Sequence, residues 1–239
     1  MTKFAIALAV ISFSAIRVMA QVLPAAEART QEEFDLYLEF HEAADHEAKH
    51  RAALRFEGAY PESKLLVDVY QSEFEYARSR EERQGAISAG EKALRLAPND
   101  VKVLLGLAEV IPNGTNDPVA LAQAAGHARR ALMELKDLRF PHEVSMSECT
   151  NLQNSLMARA HASLGYVSGK RGELAEAMKE LETAVAMSPE PAGPELFRLG
   201  KLYRASKREH DAIEMFRRAA KAGPSEITLL AESELQGKR

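Results

Sequence analysis

Cysteine occurs once in 239 residues, at Cys149, so no disulfide can form within the chain and stability has to come from packing. Tryptophan is absent and aromatics make up only 6% of the chain, which points away from a β-rich fold and toward helices packed through Ala and Leu. No excess of one charge sign exists: 31 basic and 35 acidic residues are well mixed, for a net charge of −4. Nucleic acid is excluded as an expected partner, because the basic footprint it demands is missing, and no polybasic run offers itself to anionic lipid. Catalytic fingerprints are missing too. There is no Walker loop, no G-x-S-x-G elbow and no dinucleotide-binding glycine pattern, and no cofactor is expected.

Long apolar runs are also scarce. Only Phe4 to Ile16 qualifies, and it is too short to cross a bilayer core of roughly 30 Å comfortably. Lys3 before it and Val18-Met19-Ala20 after it match the charged start and small-residue end of a secretory signal. Residues 1–20 are therefore expected to be a cleaved signal peptide, with the mature protein beginning at Gln21 and residing in the periplasm or outside the cell. An uncleaved anchor is the alternative.

What the sequence does have is a hydrophobic fraction of 46%, enough to exclude wholesale disorder, and a motif that invites a catalytic reading. His46-Glu47-Ala48-Lys49-His50 matches H-E-x-x-H, which on a helix puts two imidazoles on one face beside a carboxylate. A zinc hydrolase also needs a third protein ligand and a strand edge to hold a peptide. Glu57, Glu62 and His127 can be nominated as the ligand, yet no motif selects one and no strand pattern is visible. The stretch reads better as a solvated helix face, with His46 and His50 as weak metal candidates.

Self-similarity is the stronger signal. LFRLGKLYRASKREHDAIEMFRRAAKAGP places Leu196, Leu199, Gly200, Tyr203, Ala212, Phe216, Ala219 and Pro224 in a spaced series. The preceding HASLGYVSGKRGELAEAMKELETAVAMSP repeats it with His161, Leu164, Gly165, Ala177, Leu181, Ala184 and Pro189, and with Ser168 in the tyrosine slot. Gly200 and Ala212 allow two helices to approach closely, Leu199, Tyr203 and Phe216 fill the space around them, and Pro224 ends the unit. These segments resemble the tetratricopeptide repeat, W-x2-L-G-x2-Y…A-x3-F…P, with Leu or His for Trp. Upstream, Ala86, Ala93 and Pro98 keep the register, with Phe74 in the glycine slot and Gly90 in the aromatic slot, a volume exchange across the hairpin. Tyr60-Pro61-Glu62-Ser63 closes a first, divergent unit in a manner similar to bacterial envelope members of the family.

The resemblance implies an all-α solenoid of about five helix-turn-helix hairpins. The expected layout is a divergent repeat at 30–66, regular repeats at 67–100 and 193–226, and an irregular repeat with insertions at 101–146. A repeat with a lengthened first helix spans 147–191, and a capping helix and tail occupy 227–239. It also implies a non-catalytic scaffold that binds a protein or peptide on a concave surface made by the first helix of each hairpin. On this chain that surface would carry Asp68, Gln71, Glu75, Val103, Leu107, Arg159, Ala162, Tyr166, Phe197, Lys201 and Arg204, with Arg198 near its edge. The Lys and Asn pattern of the family's carboxylate clamp is absent. A structural spacer within a cell-envelope assembly is the competing reading.

Overall fold

The computed structural model describes residues 28–138 and 145–237; the expected signal segment lies outside them. Among the described residues there are eleven helices: α1 Gln31–Glu42, α2 His46–Ala59, α3 Leu66–Ser79, α4 Arg83–Leu96, α5 Val101–Val110, α6 Pro118–Lys136, α7 Met146–Lys170, α8 Leu174–Met187, α9 Gly193–Ala205, α10 Glu209–Ala222 and α11 Ser225–Gln236. They pair in order as five hairpins, each packed on the next, and α11 lies against α10 and α9 at the end of the array. The chain is an all-α solenoid.

Local chemistry sets the helix ends. Asp45 accepts the Ala48 amide at 2.8 Å, Asp100 that of Val103 at 2.9 Å, and Asp117 that of Ala120 at 3.0 Å, each satisfying a donor that the first turn leaves free. Pro118 follows Asp117 as the first helical residue, where its missing N–H costs nothing. Ser145 and Glu148 form a reciprocal capping box at the start of α7. The Y-P-x-S stretch is tied back to α1: buried Ser63 hydrogen-bonds Glu33 and thereby holds that buried carboxyl below its ordinary range.

Hairpins two, four and five turn in one way. The amides of Glu82, Glu173 and Arg208 reach back five residues to the carbonyls of Ala77, Ser168 and Tyr203, at 2.9, 2.9 and 2.8 Å. Those of Glu81, Gly172 and Lys207 reach back three residues, to Arg78, Gly169 and Arg204. This double closure requires a left-handed residue, and only Gly172 (φ 77°) is a glycine; Glu81 (φ 58°) and Lys207 (φ 61°) hold the same conformation with a Cβ.

Within hairpins two, four and five, volume is matched across the crossing. A Cβ at Gly165 would lie 2.7 Å from Leu181 Cγ, and one at Gly200 would lie 2.8 Å from the Phe216 ring. Hairpin two shows the exchange expected from its sequence: Phe74 is buried and a Cβ at Gly90 would lie 3.0 Å from its ring. Phe74 also fills the space over Gly106 of α5, where a Cβ would lie 2.5 Å from the ring.

Two clusters of buried side chains result. The first runs from Phe40 and Phe56 through Leu104, Leu105, Leu121 and Leu135, and the second gathers Leu181, Leu196, Leu199, Met215, Phe216 and Ala231. Helix α7, 25 residues long, belongs to both: Leu156, Ala160, Leu164 and Val167 form one stripe on the first cluster, and Ala162 joins the second. Helix α5 is enclosed by α3, α4, α6 and α7. Val103 and Leu107, expected on the concave surface, are consequently 1% and 0% exposed, and Ala162 is buried as well. The repeat register predicts which turn of the helix a residue occupies, whereas the helices packed around it decide whether it is covered.

Replacing a left-handed non-glycine residue by glycine removes a steric cost of about 1 kcal/mol or more, partly offset by the freer unfolded chain. Glu81→Gly and Lys207→Gly are each expected to raise stability by about 0.5–1 kcal/mol in urea unfolding, and Gly172→Ala to lower it by a similar amount.

Candidate partner-binding surface

The first helices of the hairpins, α1, α3, α5, α7 and α9, with α11 in the same position at the end, carry polar side chains that meet across successive repeats. Tyr37 of α1 donates to Asp68 of α3 at 3.0 Å, and His41 Nε2 lies 2.8 Å from the same carboxylate. Gln71 donates to Asp100. Glu75 pairs with Arg78 at 3.2 Å and with Lys102 at 3.6 Å. Glu109 of α5 takes Arg78 at 3.0 Å from one side and Arg159 of α7 through two hydrogen bonds, at 2.8 and 3.0 Å, from the other. Lys201 and Arg204 of α9 both reach Glu234 of α11, Lys201 at 2.7 Å. Such pairs, half-exposed, are worth roughly 0.2–1 kcal/mol each, and here they join neighbouring repeats.

Seen side by side, the expected partner-binding residues divide into two kinds. Asp68, Gln71, Glu75, Arg159, Lys201 and Arg204 are already engaged with neighbouring side chains. Phe197 is half-buried, its ring centroid 5.6 Å from that of Phe216, so it supports the second cluster as much as it faces outward. Tyr166 is different: Arg198 lies over its ring at 4.4 Å and Lys170 at 5.5 Å from the centroid. The sequence reading missed Glu109, although it stands where the repeat wants an aromatic residue, three positions after Gly106. It also missed Glu234, whose offset inside the last helix has no repeat pattern to mark it.

The two histidines sit elsewhere, between the first and second hairpins. His46 stacks on Tyr76 of α3 with centroids 3.1 Å apart, and His50 Nδ1 lies 2.6 Å from Glu73 Oε2. His46 Nε2 and Glu73 Oε1 face each other at 3.9 Å, buried and without hydrogen-bond partners among the described residues. The nominated third ligands are not brought here: Glu57 is held by Lys92 at 2.7 Å, Glu62 is exposed, and His127 is on α6, its imidazole pushed toward neutrality by burial. Among the described residues no group of three His, Cys, Asp or Glu is arranged to hold a metal ion. The stretch that looked catalytic packs one hairpin on the next.

The family profile described as tetratricopeptide repeat matches residues 158–191 and 196–225, which cover the C-terminal part of α7 and helices α8 to α10. Those two consecutive segments are tetratricopeptide repeats. Solved structures align with this chain. A double mutant titled MamA RS-1 ArsTM aligns over 83% of this chain and 96% of its own, at 15% identity and a TM-score of 0.50. A thermophilic tetratricopeptide-repeat protein in Thermus thermophilus aligns over 86% of this chain and 98% of its own, at 18% identity and a TM-score of 0.44. A crystal structure of MamA shares 22% identity over 62% of this chain and 73% of its own, with a TM-score of 0.39. No curated protein matches the sequence.

Hydrogen bonding from Lys201 holds the Glu234 carboxyl below its ordinary value of 4.5. A carboxylate depressed in the folded state contributes stability above its unfolded value and loses it as pH falls through the lower folded value. Glu234→Gln is therefore expected to speed amide exchange in α11 up to about tenfold at neutral pH, with α3 and α4 unchanged. Acidifying the unmodified protein below about pH 4 should produce the same loosening of α11.

Proposed function

We propose that this chain is an exported, non-catalytic scaffold that binds a protein or peptide partner along the face formed by the first helices of its hairpins. The observation that carries the reading is the match of two consecutive hairpins to the tetratricopeptide repeat, since domains of this family generally mediate protein–protein interactions. Residues proposed to meet the partner are Arg159, Tyr166, Phe197, Lys201 and Arg204 toward the C-terminal end, and Asp68, Gln71 and Glu75 toward the other. Aromatic and arginine side chains dominate binding energy at interfaces more often than other types do, which favours the C-terminal end as the anchor.

Export rests on the sequence of residues 1–20. No helix among the described residues is long and apolar enough to cross a membrane. N-terminal sequencing of the protein from the native cell is expected to find Gln21 first, on material outside the cytoplasm; Met1 or Thr2 on cytoplasmic protein would overturn export.

A second reading, a structural spacer within a larger assembly, is favoured by one feature: most charges on the proposed binding face are already paired with one another. Photo-cross-linking separates the two. A reactive residue placed at 71, 166 or 201 is expected to capture the partner, and one placed at exposed positions 179 or 217, on α8 and α10, is expected not to. Capture from the second pair alone would replace the groove with the spacer.

A further inference from the structure

Along the ladder of paired charges, two neighbouring cations form no ion pair among the described residues. Tyr166 of α7 lies between Lys170, one turn further along its own helix, and Arg198 of α9. Lys170 Nζ is held by neutral acceptors, the Thr115 carbonyl at 2.7 Å and Asn116 Oδ1 at 3.1 Å, so it is positioned without being neutralised. Arg198 makes no ion pair among the described residues, and its guanidinium rests on the Tyr166 ring at 4.4 Å. The nearest acidic residues do not answer it. Glu109 is committed to Arg159 and Arg78. Glu195, one turn before Arg198, has its carboxyl raised by burial; it feels that guanidinium but forms no ion pair with it among the described residues. Two cations thus converge on an aromatic face, in the segment where the repeat pattern is most regular.

Stacking on an aromatic ring fixes a guanidinium in a plane and leaves its edge donors available, and a carboxylate is the group that matches that fork. A cationic ligand would meet two like charges here. A purely apolar one would bury Lys170 and Arg198 unpaired, at a cost larger than the contact returns. We propose that Tyr166, Lys170 and Arg198 form the anchoring site for the carboxylate of an Asp or Glu side chain on the bound protein segment. This rests on the groove reading above and names the chemistry of its strongest contact.

The test uses the full chain and two fluorescent probe peptides, one alternating Glu and Leu and one alternating Gln and Leu. In fluorescence anisotropy at low ionic strength the Glu peptide is expected to bind at least tenfold more tightly, about 1.4 kcal/mol, and the preference to shrink with added salt. Arg198→Gln should remove most of the preference and Arg198→Lys should keep part of it. Lys170→Gln should reduce it independently, and Lys179→Gln, on the exposed side of α8 away from the proposed face, should leave it intact. Helix content by circular dichroism shows whether each variant is folded. Equal binding of the two peptides, or a preference that survives Arg198→Gln in folded protein, overturns the proposal. Cross-linking from positions 71, 166 and 201 would still support the groove in that case, so the two ideas fail separately.

Discussion

Close approach of paired helices, made possible by a missing side chain on one and filled by a large one on the other, is the contact on which the second, fourth and fifth hairpins depend. At Gly165 and Gly200 the small residue is on the first helix and the filler, Leu181 or Phe216, is on the second. In the second hairpin Phe74 supplies the volume and Gly90 the room. The total is what the crossing conserves. Interiors pack at nearly crystalline density, so either arrangement satisfies the same gap, and a side chain on both helices would force them apart. The left-handed turns at Glu81, Gly172 and Lys207 then return the chain at the angle that keeps those crossings in register.

Stacking the hairpins buries what each exposes alone, and here α7 alters the regular outcome. Its length lets one stripe of side chains face the first cluster of buried residues while Ala162 and Gly165 serve the second. In an array whose contacts are mainly between neighbours, a helix shared by both clusters is the element through which strain at one end reaches the other. Val103 and Leu107 of α5, which is enclosed by α3, α4, α6 and α7, are out of solvent and so unavailable to a partner.

On that face electrostatics does two jobs with one set of residue types. Pairs such as Glu109 with Arg159, and Glu234 with Lys201 and Arg204, fasten one repeat to the next. Because they satisfy each other, they offer a ligand little net charge, and Lys170 and Arg198, which form no ion pair among the described residues, stand out against them. The His46, His50 and Glu73 group follows the same economy at the other end: a spacing suited to metal chemistry is spent on stacking against Tyr76 and hydrogen bonding between hairpins.

Much of this was legible in the residues alone. Hairpin order, the volume exchange between Phe74 and Gly90 and the lengthened first helix of the fourth hairpin all follow from local rules of sterics and hydrogen bonding. Such rules act within a few residues of the position they govern, and so a sequence displays them directly. The partners of surface charges were not legible. Glu73 meeting His50, Glu109 bridging Arg78 and Arg159, and Glu234 neutralising Lys201 and Arg204 join residues 23 to 50 positions apart. Repeat periodicity places each of these residues on a helix, but the rotation and length of that helix decide which side chain it meets. The sequence by itself therefore determined the helices, their turns and the all-α solenoid. Only the tertiary structure decided which residues of the binding face remain free to bind, because pairing across repeats depends on how neighbouring helices are set against each other.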